Sequence, residues 1–216
     1  MCALLAEPER LGDDVRTAFA RAARLALLGL LAAPALLGVA SAAGYPLRGA
    51  IETASWASAL AGFAAAGWLA GHSLRLGARR TAALAGVFIL AGLVVAPAFR
   101  GLQGLTGREA IVAVAATTLA PFAAAFLLTG VLAARLMGIG RLAPRELLLC
   151  AAGGAWGGAF AVLPFGWVWL RLDVPGETYL MMTLAVVGFL GSLIAPFHVT
   201  GLALDRARER GALARA

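Results

Sequence analysis

Six long apolar runs separated by short charged intervals constrain this chain more than any other feature: residues 25–44, 53–71, 81–99, 110–134, 147–170 and 178–204. Asp, Glu and Arg are confined to the intervals, and His198 is the one histidine inside a run. A helix rises about 1.5 Å per residue and the hydrocarbon core of a bilayer is about 30 Å thick, so about 20 apolar residues span it. The pattern predicts an all-α fold: a polytopic membrane bundle of six transmembrane helices. Composition agrees, since 62% of the 216 residues are hydrophobic and 13% are charged, against about 25% charged in a typical soluble domain.

The segments flanking the runs have a separate reading. Leu11, Val15, Phe19 and Ala22 share one side of a helix, with Asp13, Arg16, Arg21 and Arg24 on the other. Residues 1–24 are therefore expected to be a cytoplasmic leader with an interfacial amphipathic helix, its early acids Asp13 and Asp14 favoured by the helix dipole. A solvated basic leader is the plainer alternative. Ala40-Ser41-Ala42 resembles a signal-peptidase site, but a leader carrying four acids and a first run of full spanning length favour a retained helix. Residues 205–216 read as a short basic cytoplasmic tail, partly disordered.

Orientation follows from the arginines, because cytoplasmic loops carry an excess of positive charge. Alternating six spans places Arg10, Arg16, Arg21, Arg24, Arg75, Arg79, Arg80, Arg135, Arg141, Arg145, Arg206, Arg208, Arg210 and Arg215 on one side, and only Arg48, Arg100, Arg108 and Arg171 on the other. Both termini are thus expected in the cytoplasm, with the chain in a bacterial inner membrane. The net charge of +7 is matched to the lipid bilayer and to anionic lipid headgroups at the cytoplasmic face rather than to nucleic acid. The runs also pair as three helical hairpins, at about 22–75, 80–135 and 146–206. Glutamates near the outer starts (Glu52, Glu109, Glu177) and glycine-to-arginine endings suggest a repeat, although ordinary capping by Glu and Arg explains the same pattern.

Small residues mark the expected helix contacts. Gly67 with Gly71, and the overlapping pairs Gly153 with Gly157 and Gly154 with Gly158, let backbones approach closely. The run at 81–99 is almost wholly apolar and is expected at the periphery. Polar groups at membrane depth are few. His198, Pro196, Thr200 and Ser192 on the last run and Thr117 and Thr118 on the fourth form the candidate substrate-binding set, because Pro196 frees a backbone carbonyl one turn earlier. His198 has an equally ordinary role as a packed, hydrogen-bonded histidine.

The chemistry excluded is broader than the chemistry allowed. No Asp, Glu or Arg lies within a run, which disfavours a proton antiporter of the acidic-residue kind. Hydrolase elbows, zinc-binding H-E-x-x-H and phosphate-binding glycine loops are missing from the sequence. With Cys2 and Cys150 as the only cysteines and His72 and His198 as the only histidines, a bis-histidine haem is the one side-chain arrangement conceivable, backbone carbonyls at broken helices remain open to a cation, and no cofactor or metal is expected. The chain is expected not to be an enzyme. It reads first as a small transport component that binds a small neutral or apolar solute within the bundle and lacks its own energising domain. The alternative is a non-catalytic structural or assembly subunit, packing through its glycine faces against a membrane-protein partner or a second copy.

Overall fold

The computed structural model describes residues 14–42, 48–103, 118–170 and 177–213. Regular structure among them is entirely helical: α1 (Val15–Ala42), α2 (Arg48–Ser73), α3 (Ala78–Gln103), α4 (Ala120–Leu136), α5 (Pro144–Leu170) and α6 (Glu177–Leu213). One described segment, Ala78–Val95 in α3, is long and apolar enough to cross a membrane by length and composition, while the apolar α4 is shorter, at 17 residues. Thr117, the leader up to residue 13 and the segments 43–47, 104–117 and 171–176 lie outside the described residues.

Helices adjacent in the chain are adjacent in space. Packing runs α1 on α2, α2 on α3, α3 on α4, α4 on α5 and α5 on α6, and α6 closes the bundle against α1 while also touching α4. At its centre five buried phenylalanines meet, one each from α1, α2, α3, α4 and α6: Phe19, Phe63, Phe88, Phe126 and Phe197. Phe197 is the hub. Its ring stacks on Phe88 at 4.9 Å, meets Phe126 edge-on at 5.0 Å, and lies 6.2 and 6.4 Å from Phe63 and Phe19, within the range where ring quadrupoles attract.

Two expectations about the flanks need correction. The described part of the amphipathic leader, from Asp14, is not a separate interfacial helix: Val15 begins a single 28-residue helix that runs through the first apolar run. Its apolar stripe of Val15, Ala18, Phe19, Ala22, Ala23 and Ala26 is buried within the bundle, while Arg16, Arg21 and Arg24 face outward. The two faces were legible; the surface that covers the apolar one is protein. Likewise the C-terminal tail is helical through Leu213, because α6 is one helix of 37 residues. At about 1.5 Å per residue it is about 55 Å long, well beyond the roughly 30 Å of a hydrocarbon core.

The turns after α2 and α4 are built alike. Leu76 N–H donates to the Gly71 carbonyl and Arg75 N–H to that of His72, while Ile139 N–H donates to Ala134 and Gly138 N–H to Arg135. Both are Schellman endings, in which one residue in the left-handed region turns the chain out of the helix. Gly138 has φ +69°, as glycine readily does, but the corresponding residue after α2 is Arg75, at φ +54°. The two turns, the start of α1 and the last turns of α6 line one groove, with Val15, Leu74, Leu76, Met137, Ile139 and Arg208 among its walls. The described arginines of the richer set therefore gather at one end of the bundle.

Candidate functional site

The polar residues of α6 separate onto different faces. One face, through His198, Gly201 and Asp205, meets the first turn of α1 at helical spacing. A Cβ at Gly201 would lie 2.8 Å from Arg16 Cα, so only glycine admits this crossing. On either side of it Arg16 Nε donates to His198 Nε2 at 3.0 Å, and Asp205 accepts from the backbone of α1, Val15 N–H to Oδ1 at 3.1 Å and Arg16 N–H to Oδ2 at 2.9 Å. The orphan donors at the start of α1 are thus capped by a carboxylate 190 residues away. Asp14, the residue before the helix, adds a longer contact from Arg16 N–H at 3.4 Å. Burial, and then the hydrogen bond and charge of Asp14 beside it, push Asp205 up to about 6 from 3.8.

A second face of α6 meets α5. The carbonyl of Ser192, which Pro196 cannot bond, lies where a Cβ on Gly157 would come within 2.7 Å of it, and the Pro196 ring is equally close. Gly153 packs on Val199 of the same face. Gly154 and Gly158 turn the other way, toward α4: a Cβ at Gly154 would lie 2.3 Å from the Phe122 carbonyl oxygen, and one at Gly158 would lie 2.9 Å from that of Thr118. The four glycines of α5 therefore seat this helix between α4 and α6 of its own chain. Gly67 and Gly71 do the same for α2 against Ala85 and Thr81 of α3.

Thr200 points inward, fully buried, with its Oγ1 lacking a well-formed hydrogen bond and with Cys150 as its polar neighbour. Thr118 and Ser192 are buried too. Of the expected substrate-binding set, Thr117 lies outside the described residues. The grooves bounded by described residues are lined by other side chains. His72 is exposed near the end of α2, and a bis-histidine haem using His198 Nε2 would first have to break its bond from Arg16.

Three contacts escaped the sequence reading. Gly29 and Gly62 bring α1 and α2 to backbone contact, where Ser58 Oγ donates to the Gly29 carbonyl at 2.5 Å. Glu146 is buried on the first turn of α5, bonded to Ala143 N–H and paired with Arg210 at 2.7 Å. Proline at 144 followed by this glutamate is a helix-start signal that could have found it. Asp205 carried no such signal, since its partners lie across the whole chain. No protein-family model, curated protein or solved structure matches this chain.

Proposed function

We propose that this chain is a six-span membrane protein, arginine-rich end inward, that serves as a non-catalytic structural or assembly subunit. One observation carries the reading: all six helices expose large apolar side chains around a closed interior. Leu28, Trp68, Leu90, Leu128, Leu148, Trp156 and Leu190 are all at least 40% exposed, on a scale that soluble monomers avoid. The spans other than α3 rest on this girdle and on the positive-inside distribution of arginine. The interior at the level of His198 is filled by the phenylalanine cluster, and the Thr129 hydroxyl is bonded to the Ala125 carbonyl of its own helix. That arrangement favours a scaffold over the solute-binding transport component, whose proposed contacts are spent on packing. The glycine faces expected to recruit a partner are occupied within the chain, so a partner would meet the outer girdle, where Trp68 and Trp156 are the largest exposed side chains among the described residues.

The test is native mass spectrometry of the protein extracted gently from its own membrane. A stoichiometric membrane-protein partner supports the subunit reading. A single chain retaining a small molecule overturns it in favour of solute binding, and release from membranes by alkaline carbonate would overturn the membrane reading itself.

A further inference from the structure

Between the end of α4 and the start of α5 lies an open groove of about 630 Å³, and its lining is divided by chemistry. Val131, Leu142 and Leu147 form apolar walls, and Arg135 and Arg141 supply two exposed guanidinium groups. Neither guanidinium makes an ion pair or a hydrogen bond with another described residue. The nearby acid that could have neutralised them, Glu146, is already held by Arg210 and Ala143 N–H. Arg210 also donates to the Arg141 carbonyl at 3.2 Å, which ties the backbone of the loop to α6 and leaves the Arg141 side chain free to face outward. At Gly138 and Gly140 a Cβ would meet nothing within 4 Å, so the loop leaves the groove open.

The order of residues along α4 gives the groove a direction. Leu128, Val131 and Arg135 are spaced by three and four residues and share one face, so an exposed apolar strip leads to a guanidinium. Leu147 of α5 and Leu142 of the connecting loop line the groove with Val131.

We propose that this groove is a binding site for one anionic phospholipid, with Arg135 and Arg141 on its phosphate and the acyl chains along Leu128, Val131 and Leu147. Guanidinium groups bind phosphate oxygens in a planar, often bidentate geometry, and they are more weakly hydrated than ammonium groups, which suits an interface. The apolar strip then distinguishes a lipid from a free phosphate. This inference rests on the membrane reading proposed above.

The experiment compares lipid retention by the full chain in nanodiscs made from mixed phosphatidylglycerol and phosphatidylcholine, ejected into a mass spectrometer. Arg135→Gln with Arg141→Gln is set against Arg79→Gln with Arg80→Gln, which removes the same charge from two exposed positions at the α2–α3 turn. A guanidinium bonded directly to the lipid phosphate is expected to contribute about fivefold to retention, about 1 kcal/mol, so the first pair is expected to lose about 30-fold in phosphatidylglycerol retention. The second pair has no contact with the groove and acts on the bound lipid only through screened charge, so it is expected to stay within about threefold of the unaltered chain. Equal losses in both pairs, or no loss in the first, overturn the site. Displacement of the lipid by millimolar inorganic phosphate also overturns it, because a headgroup alone would then suffice. A chain that never enters nanodiscs fails the membrane reading instead, and alkaline carbonate extraction tells the two failures apart.

Discussion

Replacing Gly154 by alanine tests the packing of α5 at its closest point. The added methyl would sit 2.3 Å from the Phe122 carbonyl oxygen and 2.8 Å from Ala123 Cα. Both obstacles are backbone, so no side-chain rotation relieves them. Ordinary contact begins at 3.4 Å, so α4 and α5 would have to part by about 1 Å, a gap that forfeits a quarter to a half of each dispersion contact it opens. The separation would also loosen the Gly158 approach to Thr118 and the Gly130 approach to Cys150, which share the α4–α5 interface. Overpacking costs about 1–3 kcal/mol, with a backbone clash toward the upper end, and alanine's better helix propensity offsets about 1 kcal/mol, leaving a net loss of about 2 kcal/mol. Gly86→Ala is the control, because a Cβ there meets nothing within 4 Å and the helix gains up to about 1 kcal/mol. The assay is reversible unfolding of the monomeric chain in mixed micelles, followed by circular dichroism. If Gly154→Ala unfolds at the same denaturant fraction as Gly86→Ala, α5 is not seated on α4 as described. A loss seen only at concentrations where the chain self-associates would also refute the intramolecular reading.

Other perturbations reach other parts of the bundle. Asp205 holds its proton more tightly when folded (about 6) than at its ordinary value of 3.8, so stability should rise as pH falls from 7 to 5 and be lost again as pH rises through 6. Because the group is partly exposed, we expect about 1 kcal/mol; Asp205→Asn should flatten the dependence, and an unchanged slope in pH-resolved unfolding would count against the clamp. Phe197→Ala should cost about 3 kcal/mol in the same micelle assay, from four ring contacts at about 0.5–1.5 kcal/mol each, since lipid tails are as apolar as the core and burial itself contributes little. Arg75→Gly should stabilise the fold by about 0.5–1 kcal/mol and so raise the unfolding midpoint, because glycine adopts the left-handed conformation without strain, and a lower midpoint would mean that the side-chain interactions of Arg75 outweigh that strain.

Much of the helical plan was legible in the chain. Among the described residues each apolar run carries a helix, and the glycines at 67, 71, 153, 154, 157 and 158 stand at close crossings, because only a residue without a side chain lets backbones meet. Acids near residue 14 and the α1 stripe from Val15 to Phe19 also follow from local rules of capping and helical period.

What tertiary structure alone decided is the partner of each face. Periodicity shows that Val15, Phe19 and Ala22 share a side, but a lipid surface and a neighbouring helix demand the same side, and here the neighbours are α2 and α6. Among apolar helices hydrophobicity cannot even say which side is inward, since lipid is as apolar as the core. Thus Phe63, Phe88, Phe126 and Phe197 looked like any other apolar residues until they met at one point. The same limit applied to the polar groups: Thr200 and His198 lie two residues apart in the sequence, yet one meets Cys150 of α5 and the other Arg16 of α1. Asp205 is the sharpest case, because a cap built from residues 14 and 205 is a property of the closed bundle, and no local stretch of the chain encodes it.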